Sequence, residues 1–145
     1  MRKVAGPTLI AVVAALLLAV APVAAAARTA VHMEVATNFD PADDPFTASG
    51  IPGCSSGTVA NGEDPLVNFT RPFGIYAGYK VFDCGGGSGF RVRLNAMFSY
   101  SGGSVGTWSI VDAWGNLAGL QGSGKLVGIS TGPDSINDVY DGTIN

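Results

Sequence analysis

Two stretches of the chain alternate apolar and polar residues with period two. In Arg28–Asp40, Val31, Met33 and Val35 share one face while His32 and Glu34 share the other. In Phe90–Ser101, Phe90, Val92, Leu94, Ala96 and Phe98 face one way, and Arg91, Arg93 and Asn95 the opposite way. Successive Cβ atoms of a strand point to opposite sides of a sheet, so this pattern predicts strands with one buried face. These are also the two longest runs after residue 27 that lack both Gly and Pro. Elsewhere those residues interrupt any helix, at about 1 and 3 kcal/mol respectively.

Further strands are predicted at Phe46–Ala48, Thr58–Ala60, Leu66–Thr70, Ile75–Asp83, Ser104–Val111, Lys125–Ser130 and Ile136–Ile144. Turn-formers separate them: Gly85-Gly86-Gly87-Ser88-Gly89, Ser101-Gly102-Gly103, Trp114-Gly115-Asn116 and Gly132-Pro133-Asp134. The segment Asn38–Gly53 carries Pro41, Pro45 and Pro52 and reads as an irregular surface loop. Short strands at this spacing predict a β-sandwich or an antiparallel barrel.

The first 27 residues obey another pattern. Arg2 and Lys3 precede an uncharged run centred on Ile10–Val20, Pro22 breaks it, and Ala24–Ala27 offers the small residues of a cleavage site. That order is a secretory signal peptide. The alternative is an uncleaved anchor, since Val4–Ala27 is long enough to span ~30 Å of hydrocarbon. Residues 28–145 then form one secreted domain, as a chain of 145 residues allows. Cleavage leaves six basic and eleven acidic side chains, a net charge of −5. Nucleic acid calls for a clustered basic face, so it is not an expected partner, and neither is a membrane after processing. With 47% apolar and 13% charged residues the chain is no disordered acidic tail. Cys54 and Cys84 both lie in the exported part, where an even pair reads as a disulfide. Two cysteines and one histidine do not make a zinc site, and no metal or other cofactor is predicted.

The run from Gly106 through Trp108, Gly115, Gly119, Leu120 and Gly122 to Gly124, with the ending Ile136–Ile144, resembles a pattern of small secreted actinobacterial proteins. Those proteins are similar in outline to the allene oxide cyclase and dirigent barrels. The match covers roughly residues 89–144. Trp114 and Asn116 depart from the usual glycine turn, which puts the turn type in question. The resemblance implies an eight-stranded antiparallel, calycin-like barrel, and no catalytic residue of the plant enzymes maps onto this chain. On their own terms Gly119, Gly122 and Gly124 read as a strand bend. Neither they nor Gly85–Gly89 open a helix, so neither run is a phosphate cradle.

Candidate chemistry is sparse. His32 reads as an exposed or edge residue, and no Gly-x-Ser-x-Gly elbow exists for it to serve. Asp40–Asp44 lacks the spacing of a calcium loop and reads as solvated. Asn68-Phe69-Thr70 fits a glycosylation sequon, read as unmodified behind so bacterial a leader. Alternation along Ile136–Ile144 places Asp138 and Tyr140 on one inward face, the only candidates for catalytic residues. Phe90, Val92, Leu94, Trp108, Ile110 and Tyr140 are the candidates to line a ligand site, or else plain core. The expected function is that of a secreted, non-enzymatic barrel that binds a small apolar ligand or serves as a scaffold. The alternatives are a cell-envelope protein that binds a partner through 38–53, and an isomerase or cyclase-like enzyme.

Overall fold

The computed structural model describes residues 27–38, 42–62, 66–70, 73–99 and 102–145. The signal segment up to residue 26 and Asp40 lie outside them. Nine antiparallel strands run in chain order: β1 (Thr29–Asn38), β2 (Asp44–Ser49), β3 (Ser56–Asn61), β4 (Leu66–Thr70), β5 (Phe73–Asp83), β6 (Gly89–Ser99), β7 (Ser104–Trp114), β8 (Gly122–Gly132) and β9 (Ser135–Ile144). Among the described residues the only helical element is a single 3₁₀ turn, Gly115–Leu117.

Eight of the strands close into a barrel. Each neighbours the next in sequence from β5 to β9, and β9 returns to β1 along a ladder from Thr29↔Ile144 to Asn38↔Ser135. The ring is completed by β1–β2–β3 and by the pairing of β3 with Lys80–Asp83 of β5. β4 lies on the same edge of β5 but pairs with Phe73–Ala77, so β3 and β4 run one behind the other along it. The predicted all-β barrel is therefore what the chain forms, with β4 as a ninth strand beside the ring.

The segment 38–53 is not irregular throughout. Asp44–Ser49 is a barrel strand, longer than the predicted Phe46–Ala48. Pro45 is tolerated because pairing with β1 begins only at Phe46, so its missing N–H breaks no ladder bond on that side. The glycines after Leu117 also divide differently from the expectation. Gly119 sits in a turn at φ 85°, whereas Gly122 and Gly124 lie inside β8. Gly124 is opposite Gly142 and Trp108, and a Cβ on Gly142 would stand 2.6 Å from Trp108 Cζ2. These strand glycines make room for a ring rather than bend the chain.

One end of the barrel is packed solid. Phe82 is fully buried, stacked on Phe90 at 4.8 Å and met edge-on by Phe46 at 5.1 Å and Tyr140 at 5.7 Å. Met33, Val92, Trp108 and Ile144 extend this cluster. At the same end Cys54 and Cys84 are joined, tying the β2–β3 connection to the β5–β6 turn. Outside, the registers align Ile75, Met97, Val105 and Val127 side by side on four adjacent strands, all of them exposed.

Candidate functional site

Toward the other end the packing stops and a cavity of about 930 Å³ opens between the strands. Its apolar wall includes Val59, Leu94, Ala96, Phe98, Leu126 and Ile136. Set into that wall are Thr37, Asp44, Tyr76, Lys80, Ser104 and Asp138. The volume lies within the range of small-molecule pockets, and polar and apolar residues share the lining about equally. Inward glycines bring the wall together here: the Phe98 ring lies over Gly74, and the side chains of Ser104, Asp138 and Ile136 close over Gly128.

Asp138 reaches the interior by the alternation of β9, with Ile136 above it and Tyr140 below. Its Oδ1 accepts a hydrogen bond from Ser104 Oγ and its Oδ2 one from Thr37 Oγ1, both long at 3.4 Å. Ser104 and Asp138 lie two strands apart, on either side of Gly128, with which both are in register. A Cβ on Gly128 would stand 2.5 Å from Asp138 Oδ1, so glycine there lets the two approach. Burial pushes the Asp138 carboxyl above the ordinary range. The charge of Lys80 and the two hydroxyls pull it partly back.

Lys80 is inward because β5 presents Tyr76, Gly78, Lys80 and Phe82 to the lumen. Its ammonium donates to Asn61 Oδ1 at 2.6 Å, across the β3–β5 seam, and lies 5.5 Å from the centre of the Tyr76 ring. Burial lowers its pKa, against the attraction of the Asp138 and Asp44 carboxylates. Asp44 is buried as well, and its Oδ1 accepts the N–H of Asn38 at 2.9 Å. It is an inward strand residue rather than the solvated one expected. The Tyr76 hydroxyl is buried without a hydrogen-bond partner, and burial raises its pKa.

Of the residues expected to line a ligand site, Leu94 borders this cavity. Phe90, Val92, Trp108 and Tyr140 belong to the packed end instead, because their large side chains meet across the narrow ring and fill it. Ile110 packs partly against that core and borders a shallow cleft of about 570 Å³ at the closed end. Asp138 and Tyr140 share the inward face as expected, but they do not form a reactive pair at the cavity. Tyr140 is held between Phe82 and Trp108, its pKa well above the ordinary value through burial, while Asp138 faces the lumen with Lys80. His32 is on the outer wall, half exposed, with Nδ1 2.7 Å from Asp141 Oδ1 and Nε2 3.1 Å from Glu34 Oε1. The buried chemistry of the cavity thus centres on the Lys80 ammonium, the Asp44 and Asp138 carboxyls, the Tyr76 phenol and the hydroxyls of Thr37 and Ser104, with Asp43 and further serine and asparagine side chains also in the lining.

Among the described residues no helix is long and apolar enough to cross a membrane. The disulfide is compatible with an extracellular protein. No protein-family model matches the chain, and comparison with curated proteins finds no similar sequence.

Proposed function

We propose that this is a secreted, non-enzymatic barrel that binds one small molecule in its half-open lumen. The ligand is amphipathic rather than wholly apolar: an apolar body lies against Leu94, Ala96 and Leu126, and a polar head meets Lys80, Tyr76 and Asp138. The observation that carries the reading is the cavity of about 930 Å³ with buried polar side chains in its wall, the Tyr76 hydroxyl among them without a hydrogen-bond partner. A scaffold with no ligand gains nothing from placing Lys80 and Asp138 where desolvation disfavours their charges. This reading also takes the chain to be akin to the small secreted actinobacterial barrels whose pattern residues 89–144 resemble.

Two measurements test it. Native mass spectrometry of protein from its own producer is expected to show a mass excess that disappears on denaturation. Dansylaminoundecanoic acid, an apolar chain with a carboxylate head, is expected to bind with enhanced fluorescence, and Ala96→Trp to weaken it by filling the lumen. A clean apo mass together with no dansyl response would overturn the proposal. The exposed row Ile75–Met97–Val105–Val127 favours a second reading, a protein that binds a partner through its outer wall. In that case Val105→Lys abolishes partner retention and leaves dansyl binding intact.

A further inference from the structure

We infer that Lys80 is a carbonyl-reactive amine, and that the ligand class is an aldehyde or ketone with an apolar tail, held reversibly as an imine on Nζ. The inference rests on the cavity reading above and narrows it to a ligand class. Three observations carry it. Lys80 is part of the cavity wall, which puts its side chain beside a bound molecule. The side chain is 9% exposed, and its hydrogen bond is to the neutral amide of Asn61. No direct ion pair locks it to Asp138 or Asp44, both of which act on it through space. An amine in a dehydrated wall, without a bonded carboxylate, is the state in which lysine condenses with carbonyls. The lowered pKa agrees with that state but is not its basis.

The chemistry balances without an oxidant or a reductant. The Nζ lone pair adds to the carbonyl carbon, and proton transfer from nitrogen to oxygen gives a carbinolamine. A proton from the carboxyl of Asp138 lets the hydroxyl leave as water while C=N forms. The iminium N–H then returns its proton to that carboxylate. The sum is an aldehyde plus an amine giving an imine plus water. Asp138 is suited to the step because it faces the same lumen and burial favours its protonated form. As an iminium the nitrogen keeps a positive charge, which Asp138 and Asp44 stabilise when ionised.

The chain supplies its own control, since its only lysines are Lys3, Lys80 and Lys125, and Lys125 is exposed on the outer wall. The disulfide-bonded protein is incubated with nonanal, reduced with cyanoborohydride, digested and mapped by mass spectrometry. In parallel, 1-nonanol, which cannot form an imine, competes for the dansyl probe. The expected result is one reduced nonyl adduct on Lys80, little on Lys125, and loss of that adduct in Lys80→Arg, which keeps the charge. A nonyl adduct as abundant on Lys125 as on Lys80 overturns the inference, and needs no variant to fold. If 1-nonanol displaces the probe but Lys80 is not modified, the inference fails and the cavity reading stands. If the mass is that of the clean apo chain, the probe shows no response and Lys80 is unmodified, both fail.

Discussion

Replacing Phe82 by Ala tests whether the closed end is a rigid plug. The ring is fully buried and meets three others, Phe46, Phe90 and Tyr140, at centroid distances of 5.1, 4.8 and 5.7 Å. Transfer of the lost apolar atoms amounts to about 2 kcal/mol. A void of ~100 Å³ adds about 2.4 kcal/mol at ~24 cal/mol per Å³ if the neighbours do not move in. The sum, about 4–5 kcal/mol, lies at the upper end of measured Phe→Ala losses, and the three ring contacts argue for that end. Urea unfolding with the disulfide intact, followed by tryptophan fluorescence, measures it, since Trp108 sits in the same cluster. The midpoint is expected to fall with little change in slope. A loss below ~1.5 kcal/mol would mean that the rings collapse into the space, and that the boundary between packed floor and open lumen is not fixed by Phe82.

The Asp138 carboxyl titrates higher in the fold than its ordinary 3.8, so the native state holds the proton in a range where the unfolded chain has lost it. Stability on this account is greatest below that ordinary value and falls as pH rises through the raised one. Asp138→Asn escapes the fall, so thermal melts are expected to show it gaining on wild type toward neutral pH and converging with it in acid. Gly128→Ala forces a Cβ between Ser104 and Asp138. It is expected to separate them and weaken the dansyl probe more than it lowers the melting temperature, as paired titrations and melts would show. The Cys54–Cys84 bridge closes a loop of 31 residues, from a separation of 30. Its removal as Cys54→Ala/Cys84→Ala is expected to cost about 3.5 kcal/mol on the chain-entropy account, read from urea midpoints.

How legible all this is from the chain varies strand by strand. β1 and β6 announce themselves because Val31, Met33, Val35 and Phe90, Val92, Leu94 contrast with charged or polar neighbours, and the contrast is what periodicity detects. Asp138 is found for the same reason, by its parity with Tyr140. Lys80 escapes notice because β5 reads backwards: its outward residues include Ile75, Tyr79 and Val81, while its inward ones are Gly74, Tyr76, Gly78, Lys80 and Phe82. Apolar content there favours the wrong face, and only the pairing of Lys80 with Asn61 and Val92 settles the matter. Asp44 is hidden by its prolines, which weigh against a strand until the absence of a β1 partner at Pro45 is known. Nor does the alternation show how full the barrel is. That depends on which glycines and which rings fall at the same height on different strands, and so on register.

The two halves of the barrel have opposite energetic roles. At the closed end the aromatic cluster and the disulfide both favour the fold, and polar groups there find partners: Trp108 Nε1 donates to the Lys125 carbonyl at 3.1 Å, and Ser88 Oγ accepts the Asn116 N–H at 3.0 Å, although Arg91 Nε is buried without one. At the open end Lys80 and Asp138 are buried where desolvation acts against both charges, and their mutual attraction offsets this only in part. Apolar residues of similar volume at Lys80 and Asp138 would leave the strands paired and remove that cost. The barrel thus carries unfavourable polar groups of the kind a fold does not require, on the wall that borders the cavity. The packed end below it offsets that cost, and on the proposed reading a molecule with a complementary head in the lumen would relieve it. Binding is therefore expected to raise the melting temperature of the wild type more than that of a variant in which Lys80 and Asp138 are both replaced by Met.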